Sequence, residues 1–150
     1  TVQANQKYFG GIAGSIDSTG DIVENCTNNG KVYALNEGTV LQYRIGGIAG
    51  GGAGIIRECI NNGEIIAYGQ VVGGIAGSHY GVIEKCTNTG KIILYKDVNN
   101  NNNAGLYTAG IVGILKKTDG LDNKILECKN EGEVIGETYT GGIARSCRFY

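Results

Sequence analysis

The chain has 150 residues, including 27 glycines and one histidine, and it lacks proline, methionine and tryptophan. Its 13 basic and 14 acidic residues give a net charge of −1 and are interspersed, so no basic face indicates a nucleic-acid partner. No apolar run approaches the ~18 residues needed to span a bilayer, so no membrane insertion is expected. The length suits one domain with a real core.

Two phrases recur along the chain. The first reads GGIAG at 10–14, 46–50 and 73–77, AGIVG at 109–113, and GGIAR from 141. The second reads CTNNGKV from Cys26, CINNGEI from Cys59, CTNTGKI from Cys86 and CKNEGEV from Cys128. The shortest period is 27 residues, and longer periods differ by inserted loops. Such self-similarity is typical of a solenoid.

The segments KVYA, EIIA and KIIL are short, rich in β-forming residues and bounded by Asn-Gly or Thr-Gly, and they carry no 3.6-residue stripe. They predict an all-β fold. We expect a right-handed parallel β-helix of about four coils plus a partial fifth, in a single domain over 1–150. The predicted coils are 8–43, 44–70, 71–106, 107–138 and the partial 139–150.

Equivalent residues of successive coils should stack roughly 4.8 Å apart. The corner glycines Gly30, Gly63, Gly90 and Gly132 are expected to supply a left-handed backbone. A buried asparagine is costly alone, but in a ladder each amide can bond to the next. The predicted structural ladders are Cys26, Cys59, Cys86 and Cys128, and Asn28, Asn61, Asn88 and Asn130.

Charged residues alternate in sign at two repeat positions. One column is Lys31, Glu64, Lys91 and Glu133, and the other is Glu24, Arg57 and Glu84. In-register stacking of like charges would destabilise neighbouring strands, so the alternation indicates the register. The second column ends at Leu126, where a slip of one residue is expected in the fourth coil.

The five cysteines leave at least one thiol unpaired. A reduced structural column is favoured over partial bridging and over metal or redox use, because neighbouring side chains of one column point the same way. The chain has no C-x-x-C clip and no paired histidine, so we predict no metal and no cofactor. Cys147 lies outside the column and is expected to be the most exposed thiol.

Two groups of loop residues are candidate sites. His79, in GSHYG, is expected to be an exposed corner-loop histidine rather than a general base, since no nucleophile or paired carboxylate accompanies it. A solvated loop is favoured over a calcium site for the acidic residues, because they match no known calcium loop pattern. These are Asp17, Asp21, Asp119 and Asp122.

Aromatic residues recur two positions before the GG phrase. This column contains Tyr8, Arg44, Val71, Tyr107 and Tyr139 and is expected to face outward, beside the insertions at 35–43 and 95–106. Exposed tyrosines suit stacking on sugars or packing in protein interfaces, although an ordinary strand surface remains the alternative. The candidate binding residues are Tyr8, Tyr43, Arg44, Tyr68, Tyr95, Tyr107 and Tyr139.

The combined pattern GGIAG…G-x-I…C-x-N-x-G-x-V resembles the GLUG-type repeats of bacterial surface and secreted proteins. These include large adhesins and the β-helical part of immunoglobulin A-specific metallopeptidases, and the resemblance covers residues 8 to 144. It implies a repeat used as a stalk or recognition surface in a large secreted or wall-attached protein. The peptidase zinc motif HExxH is absent from this chain, so no catalytic residue is transferred.

We therefore expect a non-catalytic extracellular stalk or adhesion module of a bacterial surface protein, with a host glycan or protein as partner. The alternative is a carbohydrate-active β-helix enzyme, a polysaccharide lyase or hydrolase, or its substrate-binding module. The tail YTGGIARSCRFY stops within a coil, which favours a fragment of a longer protein over an improvised cap. On that interpretation, weak end-to-end self-association is expected.

Overall fold

The computed structural model describes residues 2–4, 7–34, 43–68, 71–95, 106–117 and 120–148. All elements in these ranges are β-strands, and no helix long and apolar enough to cross a membrane occurs among them. The strands are β1 Val2–Ala4, β2 Tyr8–Gly10, β3 Ala13–Ile16, β4 Ile22–Glu24, β5 Thr27–Asn28, β6 Val32–Ala34, β7 Arg44–Gly46, β8 Ala49–Arg57, β9 Ile60–Asn61, β10 Ile65–Tyr68, β11 Val71–Gly73, β12 Ala76–Glu84, β13 Thr87–Asn88, β14 Ile92–Tyr95, β15 Tyr107–Ala109, β16 Val112–Lys116, β17 Lys124–Leu126, β18 Lys129–Asn130, β19 Val134–Gly136, β20 Tyr139–Gly141 and β21 Ala144–Arg148.

The strands form four sheets. Sheet 1 contains β1, β6, β10, β14 and β19, and sheet 2 contains β2, β7, β11, β15 and β20. Sheet 3 contains β3, β4, β8, β12, β16, β17 and β21, and sheet 4 contains β5, β9, β13 and β18. Each pairing is parallel and joins equivalent segments of successive repeats, as in Val32↔Ile65↔Ile92 of sheet 1. Stacked parallel sheets are the arrangement of a β-helix, so the predicted all-β, parallel architecture is confirmed.

Alternation along each strand directs aliphatic side chains into the core. In β10, Ile65 and Ala67 are fully buried, whereas Ile66 and Tyr68 are half-buried on the outer face. One apolar cluster joins residues of sheets 1 and 2, and a second joins sheet 3 to the cysteine column. Each fully buried isoleucine contributes roughly 1.5–3 kcal/mol, which explains why Ile and Val occupy these positions.

The asparagine ladder predicted from the C-x-N-x-G phrase is confirmed. Asn61 is fully buried; its Nδ2 donates to Gly63 O at 2.9 Å and to Asn88 Oδ1 at 2.7 Å. Its Oδ1 accepts from Asn28 Nδ2 at 2.8 Å, and Asn88 Nδ2 donates onward to Asn130 Oδ1 at 2.8 Å. The ladder therefore compensates burial of the amides by bonding each one to its neighbours.

The GG phrase is complementary to this ladder. A Cβ on Gly47 would lie 2.2 Å from Cγ of Asn61 and 2.3 Å from the carbonyl oxygen of Gly74. Gly74 has the same relation to Asn88, at 2.5 Å. The second glycine of the first four phrases is thus required by the close approach of the asparagine ladder, which links the two recurring phrases physically, whereas a Cβ on Gly142 would meet nothing within 4 Å.

The predicted reason for the corner glycines is wrong. Gly30, Gly63, Gly90 and Gly132 are not among the positive-φ glycines of the described chain. A Cβ on Gly63 would instead lie 1.9 Å from the carbonyl oxygen of Gly30 in the preceding repeat. Close stacking of backbone, rather than a left-handed conformation, therefore excludes larger residues at Gly63, Gly90 and Gly132.

The left-handed conformation occurs one residue before each ladder cysteine. The four residues are not glycines, and their φ angles are 54° for Asn25, 53° for Glu58, 51° for Lys85 and 51° for Glu127. Such a conformation costs an L-residue roughly 1–2 kcal/mol. Only the asparagine carries a recognisable sequence preference for it, so this bend was not predicted.

The register continues without a slip into the fourth repeat. Glu84 pairs with Leu126 in sheet 3, and Cys128 follows Leu126 at the same spacing as Cys86 follows Glu84. The expected slip at Leu126 is therefore wrong. Leucine simply replaces the charge at this position, and it is 41% exposed.

Candidate recognition surface

The five residues that precede the GG phrases stack in register on sheet 2. They are Tyr8, Arg44, Val71, Tyr107 and Tyr139, one from each of β2, β7, β11, β15 and β20. We call this set the tyrosine column. Its spacing follows directly from the parallel pairing, so the sequence placed its members side by side correctly.

Tyr8 and Arg44 form one unit at the first end of the tyrosine column. The Arg44 guanidinium lies 5.2 Å from the centroid of the Tyr8 ring, and Arg44 Nη1 donates to Tyr8 Oη. The ring lies over Gly51 of sheet 3, where a Cβ would come within 3.1 Å of two ring carbons. The absence of a side chain at Gly51 thus leaves room for the Tyr8 ring. The pair presents a cation beside a partly exposed aromatic ring.

Tyr107 and Tyr139 form a second unit at the other end, with ring centroids 5.7 Å apart. Tyr139 is 49% exposed. Between the two units, Val71 is only 6% exposed and one of its methyl groups fills the space where Gly113 lacks a side chain. The expectation that the whole column faces outward is therefore wrong at Val71, because sheet 3 packs against it.

The other candidate tyrosines divide between surface and core. Tyr68 and Tyr95 stack at the ends of β10 and β14, with centroids 5.1 Å apart and ring planes at 23°. Tyr43 is only 2% exposed and packs edge-on against Phe9 at 5.8 Å. Placing Tyr43 on the binding surface was therefore wrong, since it is part of the core under sheets 1 and 2.

The cysteine column lies inside the corner between sheets 3 and 4. Cys59 and Cys86 are fully buried, Cys26 and Cys128 are partly buried, and all four are free thiols. Cys86 Sγ donates to the carbonyl of Glu84 at 3.2 Å, and the other three thiols make the equivalent bond. Hydrogen bonds to neighbouring thiols, followed by burial, raise the pKa of Cys86. The hydrogen bond with Cys86 lowers the pKa of Cys59 and that of Cys128 to about 7, so neighbouring thiols of the column are shifted in opposite directions.

His79 lies in the middle of the nine-residue strand β12 and is fully buried. The prediction of an exposed loop histidine is therefore wrong. Its Nε2 lies 3.1 Å from the carbonyl oxygen of Gly54, and its Nδ1 has no hydrogen-bond partner. Burial lowers the pKa of His79 to about 4, although the carbonyls of Gly54 and Val82 act in the opposite direction. The ring is consequently neutral at pH 7.

The alternating charges form ion pairs between repeats. Lys31 Nζ lies 2.6 Å from Glu64, and Lys91 Nζ lies 2.8 Å from Glu133. In the second column, Arg57 Nη2 lies 2.6 Å from Glu24. These contacts agree with the register that the charge pattern predicted, although solvent screening keeps each exposed pair weak.

The aspartate side chains of the loops make contacts with residues nearby in the sequence. Asp17 accepts from Ser15 Oγ at 2.7 Å, Asp21 accepts from the backbone N–H of Ser18 at 3.1 Å, and Asp122 pairs with Lys124 at 2.5 Å. Asp119, most of the two insertions and the side chain of Cys147 lie outside the described residues. Groups of three or more metal-ligating side chains do not occur in the described ranges.

Comparison with known proteins gives a partial family match. The family model described as the GLUG motif matches residues 68–93, which contain one GG phrase and one C-x-N-x-G phrase. No curated protein and no solved structure matches the chain. The segment from Tyr68 to Ile93 is therefore similar to a GLUG motif, which supports a repeat module of a larger protein.

Proposed function

We propose that this chain is a non-catalytic module of an extracellular bacterial protein, a stalk that also carries a recognition surface. The observation that supports it most is the asparagine ladder, which runs unbroken from Asn28 to Asn130. The recurring glycines, cysteines and charges serve the same stacking. A chain whose regular features all maintain a repeated cross-section is suited to spacing and presenting a surface.

The finer architecture belongs to the same proposal. A right-handed solenoid of about four coils plus a partial fifth accounts for the repeat phrases and the parallel register. The similarity of residues 68–93 to the GLUG motif supports the repeat character, and the bacterial surface setting is what the resemblance to that family implies.

The tyrosine column is the proposed recognition surface, with a glycan or a host protein as its ligand. Tyr8 with Arg44 offers an aromatic face and hydrogen-bonding groups, and Tyr139 adds a second aromatic ring. Tyrosine presents a large contact area at a low cost in conformational entropy, and sugars stack readily on such rings. Ligand binding at this column is accordingly expected to depend on the rings at both ends.

A glycan and polysaccharide panel that reports both binding and cleavage tests the proposal. We expect binding without turnover, weakened about tenfold by Tyr8→Ala or Tyr139→Ala, the loss of one interface anchor. Tyr80→Ala is the matched control, because Tyr80 also contacts a cation, Lys116, but lies on sheet 3. Cleavage of a polysaccharide would establish the enzyme alternative. A protein that binds nothing in the panel or in a host-protein screen would reduce the function to spacing.

A further inference from the structure

The outer face of sheet 1 carries three regular columns. Its strands direct Ile65 and Ala67 inward and leave the alternate residues on the outside. The charged column is Lys31, Glu64, Lys91 and Glu133. The apolar column is Tyr33, Ile66, Ile93 and Ile135, and the third column contains Tyr68 and Tyr95. We call this surface the sheet 1 face.

The apolar column leaves apolar side-chain area in contact with water. Ile135 is 40% exposed, and Tyr95, two residues beyond Ile93 on the neighbouring strand, is also 40% exposed. Ile66 and Ile93, which precede Ile135 in the column, are half-buried. A contiguous apolar stripe flanked by charged residues is typical of a surface that contacts another protein.

The order of charges in the charged column is complementary to that of a second copy of this chain. Along the stack its order is Lys, Glu, Lys, Glu, and the ion pairs Lys31–Glu64 and Lys91–Glu133 fix that order in space. A two-fold axis parallel to the strands, between β10 and β14, reverses the stack and keeps each column facing its own copy. Lys31 then meets Glu133 of the second copy, and Glu64 meets its Lys91.

The same operation matches the apolar residues. Ile66 meets Ile93 of the second copy, Tyr33 meets Ile135, and Tyr68 meets Tyr95. A two-fold axis parallel to the stack would instead place the charged column opposite the tyrosines. Only the antiparallel arrangement pairs opposite charges and apolar residues together, as an isologous interface requires.

We propose that the sheet 1 face is a self-association surface, and that two copies pack face to face with their stacks antiparallel. Four of the five strands of sheet 1 carry these columns. At about 4.8 Å between strands and with five residues across, they cover far less than the ~800 Å² per partner of a standard interface. The dimer is therefore weak and salt-sensitive, and it forms at high local concentration, as on a crowded surface. This inference is independent of ligand binding at the tyrosine column.

Sedimentation velocity of the whole chain over a concentration series tests the dimer. Ile135→Lys is expected to weaken association at least tenfold, because it places a cation in the apolar column. Ile60→Lys on sheet 4 is the matched control, since Ile60 is likewise 40% exposed, and it should leave association unchanged. Equal effects of the two substitutions, or a strict monomer at the highest concentration, would overturn the proposal.

Charge reversal tests the antiparallel register. Lys31→Glu and Glu133→Lys should each reduce self-association, because each places like charges at both ends of the interface. Mixing the two variants should restore a dimer, since position 31 of either variant then meets the opposite charge at position 133 of the other. A folding defect cannot be rescued by mixing. Failure of the mixture to associate, with both variants folded by circular dichroism, or growth into species larger than dimers, would refute this arrangement.

Discussion

At the scale of single residues, Asn61 satisfies a buried amide completely. Both its donors and its acceptor are engaged, two of them by asparagines of the neighbouring repeats. Asn62, the next residue, also bonds to a neighbouring repeat, through Asn29, but it is exposed to water. The same residue type thus occupies a costly and an inexpensive environment one position apart.

Replacing Asn61 should be far more destabilising than replacing Asn62. Asn61→Ala leaves the amide of Asn28 and the carbonyl of Gly63 without their partner in the core, so we expect a loss of about 3 kcal/mol. Asn62→Ala should cost less than about 1 kcal/mol, because water replaces the exposed bonds to Asn29 and Thr89. Urea denaturation measures both values. Similar losses at the two positions would contradict a buried ladder.

His79 makes stability depend on pH in a defined interval. The unfolded imidazole takes up a proton below its ordinary pKa of 6.5, whereas the folded one does so only near pH 4. The contribution of His79 is therefore complete above pH 6.5 and is lost as the pH falls to about 4. A shift of this size corresponds to roughly 3 kcal/mol.

His79→Gln should remove most of that pH dependence. Glutamine can donate to Gly54 O but cannot titrate, so the loss of unfolding free energy between about pH 7 and about pH 4.5 should shrink by about 2–3 kcal/mol. The chain has one histidine, so NMR can follow its titration without assignment. An imidazole that titrates at its ordinary pKa of 6.5 in the folded protein would show that the ring is exposed.

The left-handed residue before each cysteine gives a third prediction. Lys85 has a φ of 51°, which glycine adopts without a Cβ penalty. Lys85→Gly should therefore raise the free energy of unfolding by up to about 1 kcal/mol, and Lys85→Val should lower it by more than that. Lys85→Ala controls for the lost side chain. Thermal denaturation that ranks glycine below alanine would argue against the bend.

At the scale of the strands, the charged column on sheet 1 tests the register. Glu64→Lys places three lysines in sequence along this column and should lower the unfolding free energy by about 1 kcal/mol. Reversing Lys31 and Lys91 as well is not sufficient, because Lys91 also pairs with Glu133. Reversal of all four charges should restore the melting temperature. Persistent destabilisation of the fourfold variant would contradict stacking in this order.

The sequence predicted strands and register well because equivalent residues recur at each repeat. Cys26, Cys59 and Asn61 could be placed from spacing alone, since a parallel stack brings equivalent positions together. The burial of His79 could not be predicted from spacing, because the glycines on either side of it are typical of a corner loop. In the fold β12 continues through Gly81, whose φ of 121° is open to glycine, and pairs along its length with β8.

The candidate site was predicted in its positions but not in its exposure. The tyrosine column follows from the spacing before each GG phrase, whereas the burial of Val71 depends on how sheet 3 packs against sheet 2. Tyr43 is the last residue of the insertion at 35–43, so its direction could not be counted from β6. Repeat position therefore predicts neighbours along the stack better than contacts across it.

At the scale of the whole molecule, stability comes from contacts between adjacent repeats. In such a stack the terminal repeats have one neighbour fewer and should open more easily. The burial of equivalent residues follows this expectation: Ile48, Ile75 and Ile111 are fully buried, whereas Ile143, the next residue of the series, is 39% exposed. Ile12, at the other end of the series, is 47% exposed, so opening should begin at the terminal repeats and need not involve the central ones.

Hydrogen exchange can measure this gradient towards the last repeat with one backbone hydrogen bond that recurs in successive repeats. The amide of Ile48 donates to Ile75 O at 3.0 Å, that of Ile75 to Ile111 O at 2.9 Å, and that of Ile111 to Ile143 O at 3.0 Å. The geometry is the same, but the last acceptor lies in the exposed repeat. We expect the Ile111 amide to exchange at least about tenfold faster than the Ile75 amide under native conditions. Equal rates, both matching global unfolding, would instead mean that the repeats open as a single cooperative unit.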